Sequence, residues 1–139
     1  MRRMVMVTAL LLAGCATSGE PSQADLRAQW EAQNVPPTNY KADLIAFMRT
    51  YLNDPTGVRG ASVSAPQRKT IGSDPGERYV ACVRYDARKT DGAYAGMKTG
   101  AAVYVLGKLD RFIEIQLQTQ AICKDVAYEP FPELQRLRR

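Results

Sequence analysis

Apolar side chains recur at helical spacing in one stretch near the start of the chain's main body, residues 40–52. The positions that share one face of this helix are Leu44, Ile45, Met48, Tyr51 and Leu52. Thr38 or Asn39 can cap the first turn, and the turn residues 53–57 end the helix. The pattern therefore predicts one main helix over residues 40–52.

After this helix the period changes to two, which is typical of strands. In residues 78–85, Tyr79, Ala81, Val83 and Tyr85 share one face, and Val80, Cys82 and Arg84 share the other. Residues 101–106 and 109–117 predict two more strands, joined by a two-residue turn at Gly107-Lys108. Residues 61–71 are weaker, because Pro66 implies an edge strand or a break between two short strands.

Together these elements predict an α+β domain over residues 39–139, with one main N-terminal helix packed on an antiparallel β-meander of three to four strands. Residues 86–100, dense in Gly, Lys and Asp, are predicted to form a loop, and residues 126–134 an extended strap. Residues 15–38 are predicted to be a tether with a possible short helix around Leu26 and Trp30. Trp30 can dock on the domain, rest near a membrane or contact a partner, and we expect docking.

The chain begins with a charged and then apolar segment that ends in Leu12-Ala13-Gly14-Cys15. Arg2 and Arg3 precede an apolar run of signal-peptide length, too short for a transmembrane helix. Leu12-Ala13-Gly14-Cys15 resembles the lipobox of bacterial lipoproteins. The resemblance implies that residues 1–14 are a signal peptide and that Cys15 is the lipidated first residue of the mature chain. The alternative is an ordinary secretory signal in which Cys15 is incidental.

The same resemblance predicts a location in the cell envelope, with the domain anchored to a membrane and facing the periplasm. Ala16, rather than Asp, follows the cysteine, which favours the outer membrane over the inner membrane. Loss of Arg2 and Arg3 with the signal lowers the net charge from +5 to +3. This charge is weak evidence for nucleic acid, which we do not expect as a partner.

With Cys15 lipidated, Cys82 and Cys123 are the remaining cysteines. An even remainder in an oxidising compartment predicts a Cys82–Cys123 disulfide, with two buried free thiols as the alternative. The chain has no histidine, which excludes Ser-His-Asp and Cys-His catalysis. The cysteine spacing matches no zinc site. We therefore expect no metal, no cofactor and no enzymatic activity.

Charged residues in and beside the predicted 86–100 loop are the candidates for binding. Arg84, Arg88, Lys89 and Lys98, together with Tyr94, form a group that could contact a partner or anionic lipid head groups. Arg136, Arg138 and Arg139 form a second basic cluster at the C terminus. The alternative for both clusters is an ordinary solvated surface.

The paired acids Asp86 and Asp91 flank the same loop. They could hold calcium or act as a carboxylate pair on a glycan, which would require the two groups to lie close together. The alternative is two solvated loop carboxylates.

Three segments resemble a family of small, uncharacterised bacterial lipoproteins: YLNDPTG (51–57), RYVACVRY (78–85) and YEPFPEL (128–134). The resemblance implies no activity. We therefore predict a lipid-anchored accessory or binding module that holds an envelope protein or cell-wall polymer near the membrane. The alternatives are a periplasmic inhibitor of a cell-wall hydrolase, with residues 86–100 as the plug, and a hydrolase that uses Asp86 and Asp91.

Overall fold

A six-stranded antiparallel β-sheet occupies the centre of the computed structural model, which describes residues 19–138. Helices lie before, between and after the strands. In chain order the elements are α1 (Gln23–Ala32), α2 (Tyr40–Tyr51), β1 (Asp54–Ser64), β2 (Gln67–Thr70), β3 (Glu77–Arg88), β4 (Tyr94–Val105), β5 (Lys108–Ile113), α3 (Gln116–Ile122), β6 (Tyr128–Pro130) and α4 (Pro132–Gln135).

The strand order is β5-β4-β3-β1-β6, and β2 also pairs with β3. On the side of β3 away from β4, β1 pairs with its second half and β2 with its first half. Pro66 lies between β1 and β2, where a residue without a backbone N–H cannot donate to the ladder. The predicted break at Pro66 is therefore confirmed.

One face of the sheet is covered by α2 and α4. Leu44 and Met48 of α2 are fully buried against this face, which stabilises the fold by about 1.5–3 kcal/mol for each side chain. The β3 residues on this face are those that the alternation placed together, namely Tyr79, Ala81, Val83 and Tyr85. The helix predicted over residues 40–52 is α2. Leu44 and Met48 of its predicted apolar face are buried, Ile45 and Leu52 are partly buried, and Tyr51 is 42% exposed.

The opposite face carries a smaller core. Val80 and Cys82 of β3 and Val103 of β4 pack there against Ile122 of α3. A disulfide joins Cys82 to Cys123 directly after α3, with the two Cα atoms 5.9 Å apart. The predicted disulfide is confirmed. The disulfide helps to hold α3 on the sheet, because this short helix buries two of its residues, Thr119 and Ile122.

The helix α1 has no buried residue, and Trp30 docks it on the sheet as expected. The Trp30 indole N–H donates to the Glu77 carbonyl at 2.8 Å, and the Arg78 guanidinium lies 3.5 Å from the centre of the indole ring. Arg78 is only 3% exposed and donates to the Trp30 carbonyl and to the Gln33 side chain. Arg68 adds two hydrogen bonds to the Glu31 carboxylate.

The predicted fold class, one main N-terminal helix on a meander of three to four strands, is wrong. The sheet has six strands, and short helices lie on both of its faces. Strands dominate the domain. Residues 126–134, predicted as an extended strap, instead contain β6, which pairs with Ser62–Ser64 of β1 at the edge of the sheet, and the start of α4.

Two local errors have clear physical causes. The strand predicted for residues 109–117 ends at Ile113, and α3 begins at Gln116. The predicted strand was too long because Ile113, Ile115 and Leu117 alternate with polar residues as they would on one face of a strand. The turn before β5 is Leu106-Gly107, one residue earlier than predicted. Both turn residues have positive φ, 52° and 74°, as a tight hairpin of this hand requires.

Reduction of the disulfide should destabilise the protein by about 3–4 kcal/mol, because the bond closes a sequence separation of 41. Urea denaturation of the full chain, with and without dithiothreitol, measures this difference. The double variant Cys82→Ala/Cys123→Ala is the matched control, and its midpoint should not respond to the reductant. Equal midpoints for reduced and oxidised wild type would contradict the prediction.

Candidate functional site

An open groove lies on the second face of the sheet, beside α3. Its volume is about 930 Å³, and we call it the α3 groove. It exists because α3 covers only the part of this face around Val80 and Cys82, whereas Arg84, two positions further along β3, stays exposed. The residues that line it lie on β3, on β4, at the β5–α3 junction, on α3, in the segment after α3 and on β6: Arg84, Met97, Lys98, Thr99, Glu114, Ile115, Gln116, Thr119, Gln120, Cys123, Lys124, Asp125 and Tyr128.

Arg84 is stacked on Tyr128 in this groove. The guanidinium carbon lies 4.0 Å from the centre of the tyrosine ring. Burial raises the pKa of the Tyr128 hydroxyl, and the neighbouring Arg84 charge offsets part of the rise. Within residues 19–138, Arg84 forms no ion pair, so its charge is balanced by no carboxylate of the described chain.

Glu114 joins four parts of the fold at the other end of the groove. Its carboxylate accepts hydrogen bonds from the hydroxyls of Tyr51 on α2 and Tyr85 on β3. The Lys98 ammonium of β4 lies 3.2 Å from the same carboxylate. Glu114 itself lies between β5 and α3, so this network fixes the start of the helix that forms the groove wall.

The pKa values in this network follow from its hydrogen bonds. Burial by itself would raise the pKa of Glu114, but the bonds from Tyr51, Tyr85 and Lys98 outweigh it, and the pKa falls below its ordinary value of 4.5. Burial and the bond to Glu114 raise the pKa of Tyr51 to about 12. The pKa of Tyr85 is raised for the same reasons. At neutral pH the site therefore holds a carboxylate and two neutral tyrosines.

Exposed apolar side chains border the groove. Met97 is 58% exposed and Ile115 is 62% exposed, and both line it. Leu117, the next apolar residue on α3, is 79% exposed. Neighbouring apolar side chains that stay in water beside a groove are typical of interaction sites. The hydrophobic pattern did not predict this surface, because Ile115 and Leu117 fall within the strand predicted over residues 109–117 and Met97 within the predicted 86–100 loop.

The predicted binding residues do not form one cluster. Arg84 and Lys98 both line the α3 groove. Arg88 and Tyr94 lie elsewhere, where the Arg59 and Arg88 guanidinium carbons lie 3.7 Å and 5.3 Å from the centre of the Tyr94 ring. The Tyr94 hydroxyl donates to the Gly57 carbonyl at 2.7 Å, which gives this stack a structural role.

The remaining predicted basic residues lie outside both clusters. Lys89 is in the hairpin between β3 and β4, with its ammonium 3.8 Å from the Asp91 carboxylate. Arg136 and Arg138 are exposed at the end of α4 and beyond it. Arg139 and the motif ending in Cys15 lie outside the described residues. Of the five residues predicted to bind a partner, two therefore lie together in the α3 groove.

The predicted 86–100 loop is wrong. β3 continues to Arg88 and β4 begins at Tyr94, so only residues 89–93 connect them. The glycines suggested a loop, but Gly100 is a tight packing position: a Cβ added there would lie 2.1 Å from the Phe112 ring. The glycine at position 100 therefore reflects close packing within β4 and not a loop.

The acidic pair Asp86 and Asp91 occupies two different settings. Asp86 is 6% exposed, accepts from the Arg59 Nε at 2.8 Å, and accepts from the Gly96 backbone N–H at 2.9 Å. Asp91 caps the hairpin by accepting from the Ala93 N–H at 2.9 Å. These contacts indicate that Asp86 stabilises the β3–β4 hairpin and is not a free catalytic acid.

Neither a cluster of metal-ligand side chains nor a membrane-spanning helix occurs within residues 19–138. In that range, histidine, cysteine and acidic side chains nowhere form a group of three that could hold a metal ion. No helix of the same range is long and apolar enough to cross a bilayer.

In comparisons with protein-family models, with curated proteins and with solved structures, the chain matches none. The two resemblances drawn from sequence motifs therefore stay predictions.

Replacing Glu114 should make the protein less sensitive to acid. Because the folded-state pKa of Glu114 is lowered, its ionised form stabilises the fold above the ordinary glutamate pKa, and this contribution is lost as the pH falls through the folded-state value. Glu114→Gln should cost about 1–2 kcal/mol at pH 7. The deficit should shrink as the pH falls below about 4.5.

Urea denaturation at a series of pH values measures this effect. The matched control is Glu20→Gln, because Glu20 is exposed and lies outside every helix and strand. A Glu114→Gln deficit that is the same at every pH would rule out the proposed role of the ionised carboxylate.

Proposed function

We propose that this chain is a lipid-anchored protein of the bacterial cell envelope, and that its domain is a non-enzymatic binding module. The observation that carries the proposal is the α3 groove. Its volume of about 930 Å³ lies within the range of ligand-binding pockets. It combines the unpaired charge of Arg84 with the exposed apolar side chains of Met97 and Ile115.

The proposed anchor rests on Leu12-Ala13-Gly14-Cys15 alone. Acylation at Cys15 with two or more chains would hold the protein on a bilayer, whereas one chain gives only reversible binding. The absence of Asp after the cysteine favours the outer membrane, with the domain in the periplasm.

The residues that the two alternative functions would need are engaged otherwise in the fold, which favours a binding module. A carboxylate-dependent hydrolase would need Asp86, which is committed to Arg59 and to the Gly96 backbone. An inhibitor would need a long loop to enter an enzyme cleft, and residues 89–93 form a short hairpin. We therefore place recognition in the α3 groove, with an envelope protein or a cell-wall polymer as its partner.

Replacing Cys15 should release the protein from membranes. Cys15→Ser should abolish incorporation of radiolabelled palmitate and move the chain from the membrane fraction to the soluble fraction, because the serine hydroxyl cannot receive the thioether-linked lipid. Cys82→Ala/Cys123→Ala is the control and should keep the label. Equal labelling of Cys15→Ser and wild type would contradict the lipid anchor without bearing on the groove.

A photo-crosslinker in the groove should capture the partner. Benzoylphenylalanine at Ile115 should give a specific adduct in intact envelopes, because this side chain is exposed and lines the groove. The matched control position is Arg49, which is exposed on α2 over the opposite face of the sheet. Identical adducts from both positions, or none from Ile115, would overturn the groove as the binding surface.

A further inference from the structure

We propose that the α3 groove binds the carboxyl end of a short peptide, and that Arg84 is the residue that receives its carboxylate. This inference rests on the proposed function and adds the chemical class of the ligand. Three features of the groove carry it: a cation without a partner carboxylate, the position in which that cation is held, and the polar and apolar side chains around it.

The charge of Arg84 is the first feature. Arg59, Arg68 and Arg111 each meet a carboxylate of the chain. Arg84 meets none among the described residues. Lys98, another cation of the groove, pairs with Glu114, whose carboxylate also accepts hydrogen bonds from Tyr51 and Tyr85. Lys124 and Asp125, which are adjacent in the chain, also line the groove and bring one charge of each sign. The lining therefore carries one positive charge in excess, and Arg84 is a cation of the groove with which no carboxylate of the described chain pairs.

The stacking of Arg84 is the second feature. The Tyr128 ring lies 4.0 Å from the guanidinium carbon, which limits the rotation of the guanidinium, and no carboxylate within residues 19–138 pairs with its N–H donors. A planar guanidinium with free edge donors can bind a carboxylate through two parallel hydrogen bonds. The same stack covers one face of the only tyrosine that lines the groove among the described residues. A sugar ring cannot stack on the face that Arg84 covers, and the preference for a peptide rests on the other side chains that line the groove.

The remaining lining supplies what a peptide needs beyond its carboxylate. Gln116 and Gln120 lie one helical turn apart on α3 and both line the groove. Each amide can donate to a peptide carbonyl and accept from a peptide N–H. Met97 and Ile115, both exposed, offer apolar contact to a side chain of the ligand. The groove therefore offers one ionic contact, amide hydrogen bonds and an apolar surface in one place.

The test uses the full chain in detergent and a library of N-acetylated tripeptides, prepared once with a free C-terminal carboxylate and once as the C-terminal amide. Isothermal titration calorimetry at fixed salt measures binding. We expect the best carboxylate peptide to bind about tenfold or more tightly than its amide, because the amide removes the charge that Arg84 meets. Arg84→Gln should abolish this difference, and Arg49→Gln, on the opposite face, should preserve it.

Thermal denaturation of each variant separates loss of binding from loss of the fold. Arg84→Lys provides a second variant, which keeps the charge without the planar pair of donors and should bind more weakly than wild type. Equal affinity for carboxylate and amide peptides would overturn this inference, as would binding that survives Arg84→Gln. Binding of inorganic phosphate or of cell-wall glycan, without binding of any carboxylate peptide, would also overturn it.

The outcomes for the ligand and for the function are distinguishable. If no tripeptide binds while the crosslinker at Ile115 still captures a partner in envelopes, the carboxylate inference fails and the proposed function stands. If the crosslinker also captures nothing, both fail.

Discussion

The alternation of side chains along β3 is the constraint on which the rest of the structure depends. β3 is hydrogen-bonded on both sides, so its residues can face only one of the two surfaces of the sheet. Ala81, Val83 and Tyr85 enter the core under α2, while Val80 and Cys82 enter the smaller core under α3. Arg84 follows Cys82 on that second surface, beyond the part that α3 covers. A groove with a cation in it results from the strand period and the shortness of α3.

The wall of the groove is held at its ends rather than along its length. The α3 helix has seven residues, and its buried residues are Thr119 and Ile122. Its start is tied to α2, β3 and β4 through Glu114, and its end is tied to β3 through the disulfide at Cys123. Hydrophobic packing holds this helix through the single apolar side chain of Ile122, whereas α2 buries Leu44 and Met48. The groove wall therefore depends on an ionised carboxylate and an oxidised cysteine pair.

Local patterns predicted the elements with strong periodicity and missed those that depend on distant partners. The apolar spacing of Leu44 and Met48 located α2, and cysteine parity located the disulfide. No local sequence pattern predicts β6, whose three residues form a strand only because they pair with β1. The stretch from Ile113 to Leu117 alternates like a strand, and its true conformation follows from the bonds of Glu114.

The candidate site was predicted only in part, because partners that are distant in the sequence determine where some of its residues lie. Arg84 and Lys98 are cations that the sequence shows directly, and both lie in the groove. Tyr128 and Ile115 could not be placed there from sequence, since their positions follow from the return of β6 and from the start of α3. Asp86 could not be recognised as buried, because its partner Arg59 lies on a different strand.

The docking of α1 through Trp30 determines how far the domain can stand from its proposed anchor. With α1 held against the sheet, only residues 16–21 lie between Cys15 and the capping residue Ser22 of α1. Six residues extend to about 20 Å at most. If Cys15 is acylated as proposed, this short tether would keep the groove close to the bilayer, where its effective concentration for a membrane-bound partner would be in the millimolar range. Release of α1 requires loss of the contacts of Trp30 with Arg78 and Glu77 and of Glu31 with Arg68. It would add the 10 residues of α1 to the tether, and the groove of an acylated chain would then reach partners farther from the membrane.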